Sequence, residues 1–385
     1  MTAQLQALSQ ARTQTDILFD IVHPDALYAR PIPERHRLIF YLGHLEAFDW
    51  NLIGRAMDLP VFHASFDHLF SFGIDPAAGD LPTDHPADWP GESEVRGYNA
   101  QVRRELDAVL PDVPEQLLHV AIEHRLMHAE TFAYMLHHLP FERKTAPEMP
   151  AADSGPVPQS RMIEVPSGVA TLGRRRDCGF GWDNEFEEHQ VPVPAFAIGQ
   201  HKITNGEYLE FVKAGAAAPH FWTCREGRWF YHGMFEDVPL PLNWPVYVSY
   251  DQAQAYARWK GCALPTEAQF HRAAYSAGED LSTANADFRR WDPEPVTASQ
   301  PNALGVAQMV GNGWEWTSTV FEPFAGFEPF SFYPGYSANF FDGQHYVLKG
   351  GSPRTAGCML RRSFRNWFQP HYQYVYAGFR CAREA

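Results

Sequence analysis

Three things are scarce in this sequence, and each scarcity excludes something. Positive charge is short: 31 Lys and Arg stand against 46 Asp and Glu, a net charge of −15 with histidine neutral. A surface that acidic repels phosphate backbones and anionic lipid, so binding to nucleic acid or to a membrane surface is not expected. Long apolar runs are missing; no stretch approaches the ~20 residues needed to span a bilayer. Cysteine is sparse. Cys178, Cys224, Cys262, Cys358 and Cys381 are scattered, odd in number and include no Cys-x-x-Cys pair. That argues against a disulfide framework and against a thiolate zinc site. The start, MTAQLQALSQARTQTD, lacks the basic-then-apolar pattern of a secretory signal, which points to the cytoplasm.

What is present is ordinary in bulk and unusual in detail. At roughly 150 residues per domain, 385 residues suggest two or three domains. Hydrophobic residues at 45% and charged residues at 20% exclude wholesale disorder. Aromatics reach 14%, with 11 Trp, and there are 18 His. Aromatic richness serves either a large core or a pocket for a cationic or flat ligand.

The composition changes in mid-chain. Residues 141–160 are rich in Pro, Ala and Ser and lack apolar periodicity, so a linker is placed at 146–160. Before it, the segments 2–22, 34–57, 93–110 and 114–138 carry apolar residues at three- and four-residue spacing. Pro33 precedes the second and Pro114 opens the fourth, as near helix starts. A four-helix bundle over 1–145 is the expectation. After the linker, short runs such as MIEVPSG and AFAIGQHKIT alternate with Gly, Pro and Asn, and helices are expected at 205–215 and 249–261. The rest, to 385, reads as an irregular α+β domain with long ordered loops.

The fourth helix carries His124 and His128, four residues apart and therefore on one face, about 5–6 Å from each other. Both imidazoles can reach one metal ion. The second helix supplies His44 from an apolar stretch that should face the core. Three imidazoles from two packed helices would leave open positions on an ion. Glu130 lies about 200° around the helix from His128, and Glu46 is likewise two residues from His44, so neither carboxylate should share the metal. A satisfied core or surface role for such histidines is the bland alternative. His63, His68, His85, His119, His137 and His138 also occur, so counting alone does not pick the set. Imidazole suits Fe, Zn, Cu and Ni alike.

The order of these pieces resembles the EgtB-type sulfoxide synthases. His44 and His124-x3-His128-x-Glu130 lie in a bundle that looks DinB-like. The second half carries HKITNGEYLEFV (201–212), PVYVSYDQAQAYARWKGCALPTEAQFHRAA (245–274), GNGWEWTSTVF (311–321), LKGGSPR (348–354), SFRNW (363–367) and AGFRCA (377–382), all similar to a formylglycine-generating-enzyme-like domain. The resemblance implies a C-type-lectin-like fold for residues 161–385. It implies Fe(II) held by His44, His124 and His128 at a site between the domains, O2 as co-substrate, and bond formation between a sulfur donor and C2 of the hercynine imidazole. The formylglycine-generating enzymes use two cysteines five positions apart; here Cys358 is followed at that spacing by Ser363, so their dithiolate chemistry is not available.

Site roles follow from the same resemblance. Tyr333 and Tyr336 match a Tyr-x-x-Tyr pattern. Tyr333 would be the proton or hydrogen-bond donor, since a phenol of pKa about 10 is protonated at neutral pH, and Tyr336 would line the imidazole pocket. Asn366 and Trp367 match positions that hold the trimethylammonium and carboxylate end; a quaternary ammonium has no N–H, so an aromatic face suits it. Packing is the bland role for these aromatics. Two positions depart from the pattern. Phe368 stands where relatives using γ-glutamylcysteine have an acidic residue for the donor's amine, and Met127 stands where a hydrogen-bonding Gln is common. Residues 61–98 offer Arg96 but no arginine pair to clamp a carboxylate, and Arg103 and Arg104 lie further along.

These departures tilt the expectation toward a less charged donor, a selenosugar, as in the SenA-type selenoneine synthases. Cysteine or γ-glutamylcysteine in an ergothioneine-type sulfoxide synthase is the alternative. Two other classes stay open: a DinB-like metal-dependent thiol transferase, and a non-catalytic ligand-binding protein.

Overall fold

A computed structural model describes residues 2–71, 81–147, 153–275 and 281–385. Residues 72–80, within the stretch searched for donor arginines, and 148–152, within the expected linker, lie outside the described residues. The chain divides into two compact units, Met1–Met149 and Pro150–Ala385. Among the described residues no helix is long and apolar enough to cross a membrane.

The first unit is helical: α1 (Ala3–Asp20), α2 (Leu38–Asp49), α3 (Ala64–Leu69), α4 (Glu92–Val109) and α5 (Glu115–His137). Helix α1 buries Leu8, Ala11, Arg12, Thr15, Leu18 and Phe19, a single stripe at three- and four-residue spacing. Helix α4 does the same with Val95, Tyr98, Val102 and Leu106. Helix α2 is different: every residue from Leu38 to Asp49 is buried. It is the central helix, packed on α4 and α5, and it runs on into a π-helical turn at Trp50–Gly54. The four long helices fall where the periodicity places them. The second starts at Leu38 because the segment after Pro33 turns before the helix can begin. The six-residue α3 was not expected from the sequence; it is too short to show a period.

In the second unit the described part of the linker, 153–160, forms neither helix nor strand. Among the described residues four small sheets follow. The first has the order β1 (Met162–Val165), β4 (Phe196–Gly199), β12 (Ala382–Glu384); the second is the hairpin β2 (Gly168–Leu172) with β3 (His189–Val193). The third orders β5 (Trp222–Arg225), β6 (Arg228–His232), β7 (Asp237–Pro239), and the fourth orders β10 (Asn366–Phe368), β9 (Tyr346–Lys349), β8 (Trp314–Val320), β11 (Ala377–Gly378). Helices α6 (Asn205–Lys213) and α7 (Tyr250–Trp259) open on capping boxes, Thr204 with Glu207 and Ser249 with Gln252. A third helix, α8 (Glu267–Tyr275), packs on β2, β8 and β9 around a core containing Phe196, Ile198, Phe270 and Met309. The fold is thus a helical bundle followed by an α+β domain.

Long loops in the second unit are ordered by buried ion pairs rather than by ladders. Arg380 donates to both oxygens of Glu315 at 2.8 and 3.0 Å and to the carbonyl of Gln200 at 2.7 Å. Lys202 approaches the same carboxylate at 3.3 Å. The cysteines also depart from expectation. Cys262 and Cys381 are disulfide-bonded, with Cα atoms 5.8 Å apart, because the Ala263–Ala382 bridge draws together positions 119 residues apart in sequence. A separation of that size leaves no trace in local spacing.

Removing Glu315 leaves Arg380 buried without the carboxylate that its Nε meets at both oxygens, and takes away the carboxylate 3.3 Å from Lys202. Glu315→Ala should therefore cost about 3–5 kcal/mol, while Glu210→Ala, which breaks the exposed pair with Lys213, should cost under about 1 kcal/mol. Chemical denaturation of both variants checks the ordering; equal effects would contradict it.

Candidate metal centre and aromatic site

Helix α2 places Phe40, His44 and Phe48 at four-residue intervals on one face, and α5 presents His124 and His128 toward it. Phe48 stacks on His124 with ring centroids 3.4 Å apart, and Phe40 stacks on His44 at 4.9 Å. Centroids of the imidazoles lie 4.8 Å (His44–His128), 5.2 Å (His44–His124) and 4.5 Å (His124–His128) apart. One ligand nitrogen from each ring falls within 4.8 Å of the others. Among the described residues these three histidines form the metal-ligand cluster.

Ring orientation follows from the partners. His44 Nδ1 lies 2.7 Å from the carbonyl of Phe70, the residue that closes α3. A carbonyl only accepts, so Nδ1 carries the proton and Nε2 keeps its lone pair. That Nε2 lies 3.2 Å from His128 Nε2. Two atoms each about 2.0–2.1 Å from one ion at a cis or tetrahedral angle are separated by about 2.8–3.4 Å. The distance also suits a ring-to-ring hydrogen bond, but such a pair needs no third imidazole, and His128 Nδ1 is buried with no hydrogen-bond partner among the described residues. Burial lowers His44 to about 4 and drives His124 and His128 well below the ordinary histidine range, with His44 adding to the lowering of both and His128 to that of His124. The result is a set of neutral nitrogen donors, buried at His44 and His124 and half-buried at His128, the form a metal requires. The residues fit the metal the sequence implied.

The nearby carboxylates are spoken for. Glu46 accepts from both terminal nitrogens of Arg125 at 2.9 Å and from Arg103 at 2.7 Å. Burial alone would raise its carboxyl, but the two guanidiniums outweigh it and hold the group at about 2. Glu46 and Glu130 both stand outside the histidine cluster. Other histidines have local tasks. The Nδ1 of His63 caps α3 by accepting from Phe66 N, and His119 lies beside Glu115. Met127 is half-buried on α5 beside His128. Arg103 also binds Asp16 at 2.7 Å, and Arg96 pairs with Glu92.

In the second unit, Trp367 is half-buried in β10 and stacks on Phe321 at 4.2 Å, with Tyr336 edge-on at 5.5 Å and Phe340 tilted at 5.5 Å. Tyr336 in turn stacks on Trp182 at 3.9 Å, and Tyr333 lies 5.6 Å from Tyr336. Tyr333, Tyr336 and Trp367 are therefore brought together. Phe368 is not with them. Successive strand residues face opposite ways, and Phe368 stacks instead on Tyr372 at 5.0 Å. The Oδ1 of Asn366 accepts from the backbone N–H of Trp367 at 2.9 Å, which steadies the strand that carries the indole. Ser363, at the position of the missing cysteine, donates to Glu185 at 2.6 Å in a buried network with Arg361.

Several of these residues escaped the sequence reading. Phe70 acts through its carbonyl, which no side-chain pattern reveals, and Trp182, Phe321 and Phe340 come from distant segments. Gly43 left one signal. Glycine within a helix costs about 1 kcal/mol relative to Ala, so its place beside His44 in a buried helix needs a packing reason. A Cβ there would stand 2.7 Å from the Phe70 ring.

Comparison with known proteins adds a family context. Residues 7–143 match the DinB superfamily, and residues 147–385 match the sulfatase-modifying factor enzyme 1-like domain. The hercynine oxygenase of Mycolicibacterium smegmatis is 33% identical over 338 residues, covering 75% of this chain and 78% of that protein. The hercynine oxygenase of Mycobacterium tuberculosis is 37% identical over 237 residues, covering 52% and 55%. Ergothioneine biosynthesis protein 1 of Neurospora crassa is 27% identical over 491 residues, covering 94% of this chain and 55% of that protein. The chain thus spans about half the length of the latter two relatives.

Gly43→Ala should displace Phe70 and with it the carbonyl that orients His44. Overpacking of this kind costs about 1–3 kcal/mol, and metal affinity should fall with it. Thermal unfolding and a metal titration of the variant check both; an unchanged affinity would contradict the orienting role.

Proposed function

Because the chain belongs to the EgtB-type sulfoxide synthase family, in which a DinB-like bundle is joined to a sulfatase-modifying-factor-like domain, we propose that it is a cytoplasmic, Fe(II)- and O2-dependent enzyme acting on C2 of the hercynine imidazole. The observation that carries this reading is the convergence of His44, His124 and His128. In the overall reaction an imidazole C2–H and a donor S–H or Se–H are joined to O2. One oxygen atom ends on the chalcogen, the other leaves as water, and a C–S or C–Se bond forms.

The iron, when bound, supplies redox chemistry toward O2 and a Lewis-acidic seat for the donor's thiolate or selenolate. The protein supplies the rest. The three neutral imidazoles of His44, His124 and His128 would hold the ion. Trp367 and Tyr336 offer aromatic faces to the trimethylammonium group and the imidazole, and Asn366 keeps the indole-bearing strand in place. Tyr333 is read as the donor of a proton or a hydrogen bond at the reacting atoms. Holding the donor beside C2 provides much of the rate through proximity.

The donor is read as uncharged at its distal end, a selenosugar, so that the immediate product is a selenoxide still bearing the sugar; selenoneine then forms only after the sugar is lost from selenium and a two-electron reductant, such as a thiol, removes the oxygen. The support is the aromatic Phe368 in place of an acid and the engagement of Arg96 and Arg103 by the protein's own carboxylates. A cysteine or γ-glutamylcysteine donor is the second reading, supported by the names of the ergothioneine-pathway relatives.

Anaerobic Fe(II) titration followed by oxygen uptake with hercynine and each donor tests the proposal. Uptake and a C2-modified product are expected with Fe(II) and lost in His124→Ala. Activity with zinc or nickel and without O2 would instead mark a thiol transferase, and hercynine binding without turnover a binding protein. Product mass distinguishes sulfur from selenium. Phe368→Asp is expected to gain use of amine-bearing donors; no gain would remove that residue from donor selection.

A further inference from the structure

Helix α2 has apolar side chains on nearly every side and all twelve of its residues are buried. Apolar burial is non-directional. It holds the helix within the bundle but does not choose its rotation or its axial setting. Those choices matter, because a slip of one residue turns the helix face by about 100° and carries His44 away from α5. A directional contact has to fix them.

Arg125 makes that contact. It follows His124 on α5 and precedes His128 by three residues. Its Nη1 and Nη2 donate to the two oxygens of Glu46, each at 2.9 Å; Nη2 also donates to Asp49 Oδ2 at 2.7 Å and to the carbonyl of Leu45 at 3.1 Å. These partners lie one, two and five residues after His44, within the same stretch of α2 as the ligand. All three side chains are excluded from solvent. Arg103 of α4 reaches the same Glu46 carboxylate and Asp16 of α1, so the pair is tied to all four long helices. A buried ion pair adds little net stability over a hydrophobic replacement, and its best-attested use is to specify register. A two-pronged guanidinium–carboxylate contact also fixes angle as well as distance.

We infer that Arg125, with Glu46 as its two-pronged partner, is a positioning residue for the metal centre: the pair sets the rotation and register of α2 against α5 that bring His44 to His124 and His128. The inference rests on the metal reading above and concerns residues that do not touch the ion.

The test is a Co(II) titration of the metal-free full chain, read by the cobalt ligand-field spectrum, at a temperature where circular dichroism shows every variant folded. Glu46→Gln keeps the shape of the side chain and the Arg125–Asp49 contact, so it serves where Arg125→Met does not fold. Both are expected to weaken Co(II) binding by about tenfold to a hundredfold and to alter the spectrum. Arg125→Lys keeps the charge without the fork and is expected to recover little of the loss. A folded Arg125→Met or Glu46→Gln with wild-type affinity and spectrum, lowered thermal stability or not, would overturn the inference, as would full recovery in Arg125→Lys. Failure of the wild-type chain itself to bind Co(II) more tightly than His44→Ala overturns the metal reading instead, which keeps the two failures distinct.

Discussion

Three imidazoles forced together at a largely buried helix crossing are the constraint from which the rest of the first unit follows. Polar rings buried against Phe40, Phe48 and Tyr41 lose their water and gain few hydrogen bonds in return. Burial keeps them neutral. A core built for stability alone would place apolar side chains there. The fold instead surrounds the rings with devices that fix their geometry: the Phe70 carbonyl on His44, the close approach of Gly43 to the Phe70 ring, and the Arg125–Glu46 pair, one residue from His124 and two from His44. Sites that break a local rule while their surroundings are held this firmly are where function is expected.

The second unit works by a different economy. Its strands are short and its loops long, and much of its order comes from buried charge pairs such as Arg380 with Glu315 and Arg361 with Glu185. That construction leaves loop segments able to carry aromatic side chains, and Trp182, Phe321, Tyr336 and Trp367 meet from four separate stretches. Ser363, which stands where the resemblance to the formylglycine-generating enzymes puts a cysteine, is hydrogen-bonded to Glu185 as part of the scaffold. A shared fold does not carry a shared reaction.

Local periodicity was enough to read the long helices and the same-face pairing of His124 with His128, since both depend on spacing of 3.6 residues per turn. The apolar stretch around His44 pointed inward, and the full burial of α2 agrees. What the sequence hid is non-local. Helix α3 is one short turn and a half, yet it delivers the Phe70 carbonyl. Cys262 and Cys381 meet only because a strand pairing draws them together. Phe368 turns from Trp367 because a strand alternates, and the identity of a residue says nothing of its face until the strand and its register are known. The surplus histidines could be set aside only when His63 was found capping α3 and His119 beside Glu115.

X-ray absorption of the Fe(II)-loaded chain tests the central claim most directly. The account expects scattering from three imidazoles, with nitrogen at about 2.1 Å, no sulfur in the first shell, and loss of one imidazole in each of His44→Ala, His124→Ala and His128→Ala. A first shell of carboxylate oxygen or sulfur, or a spectrum indifferent to those substitutions, would contradict it.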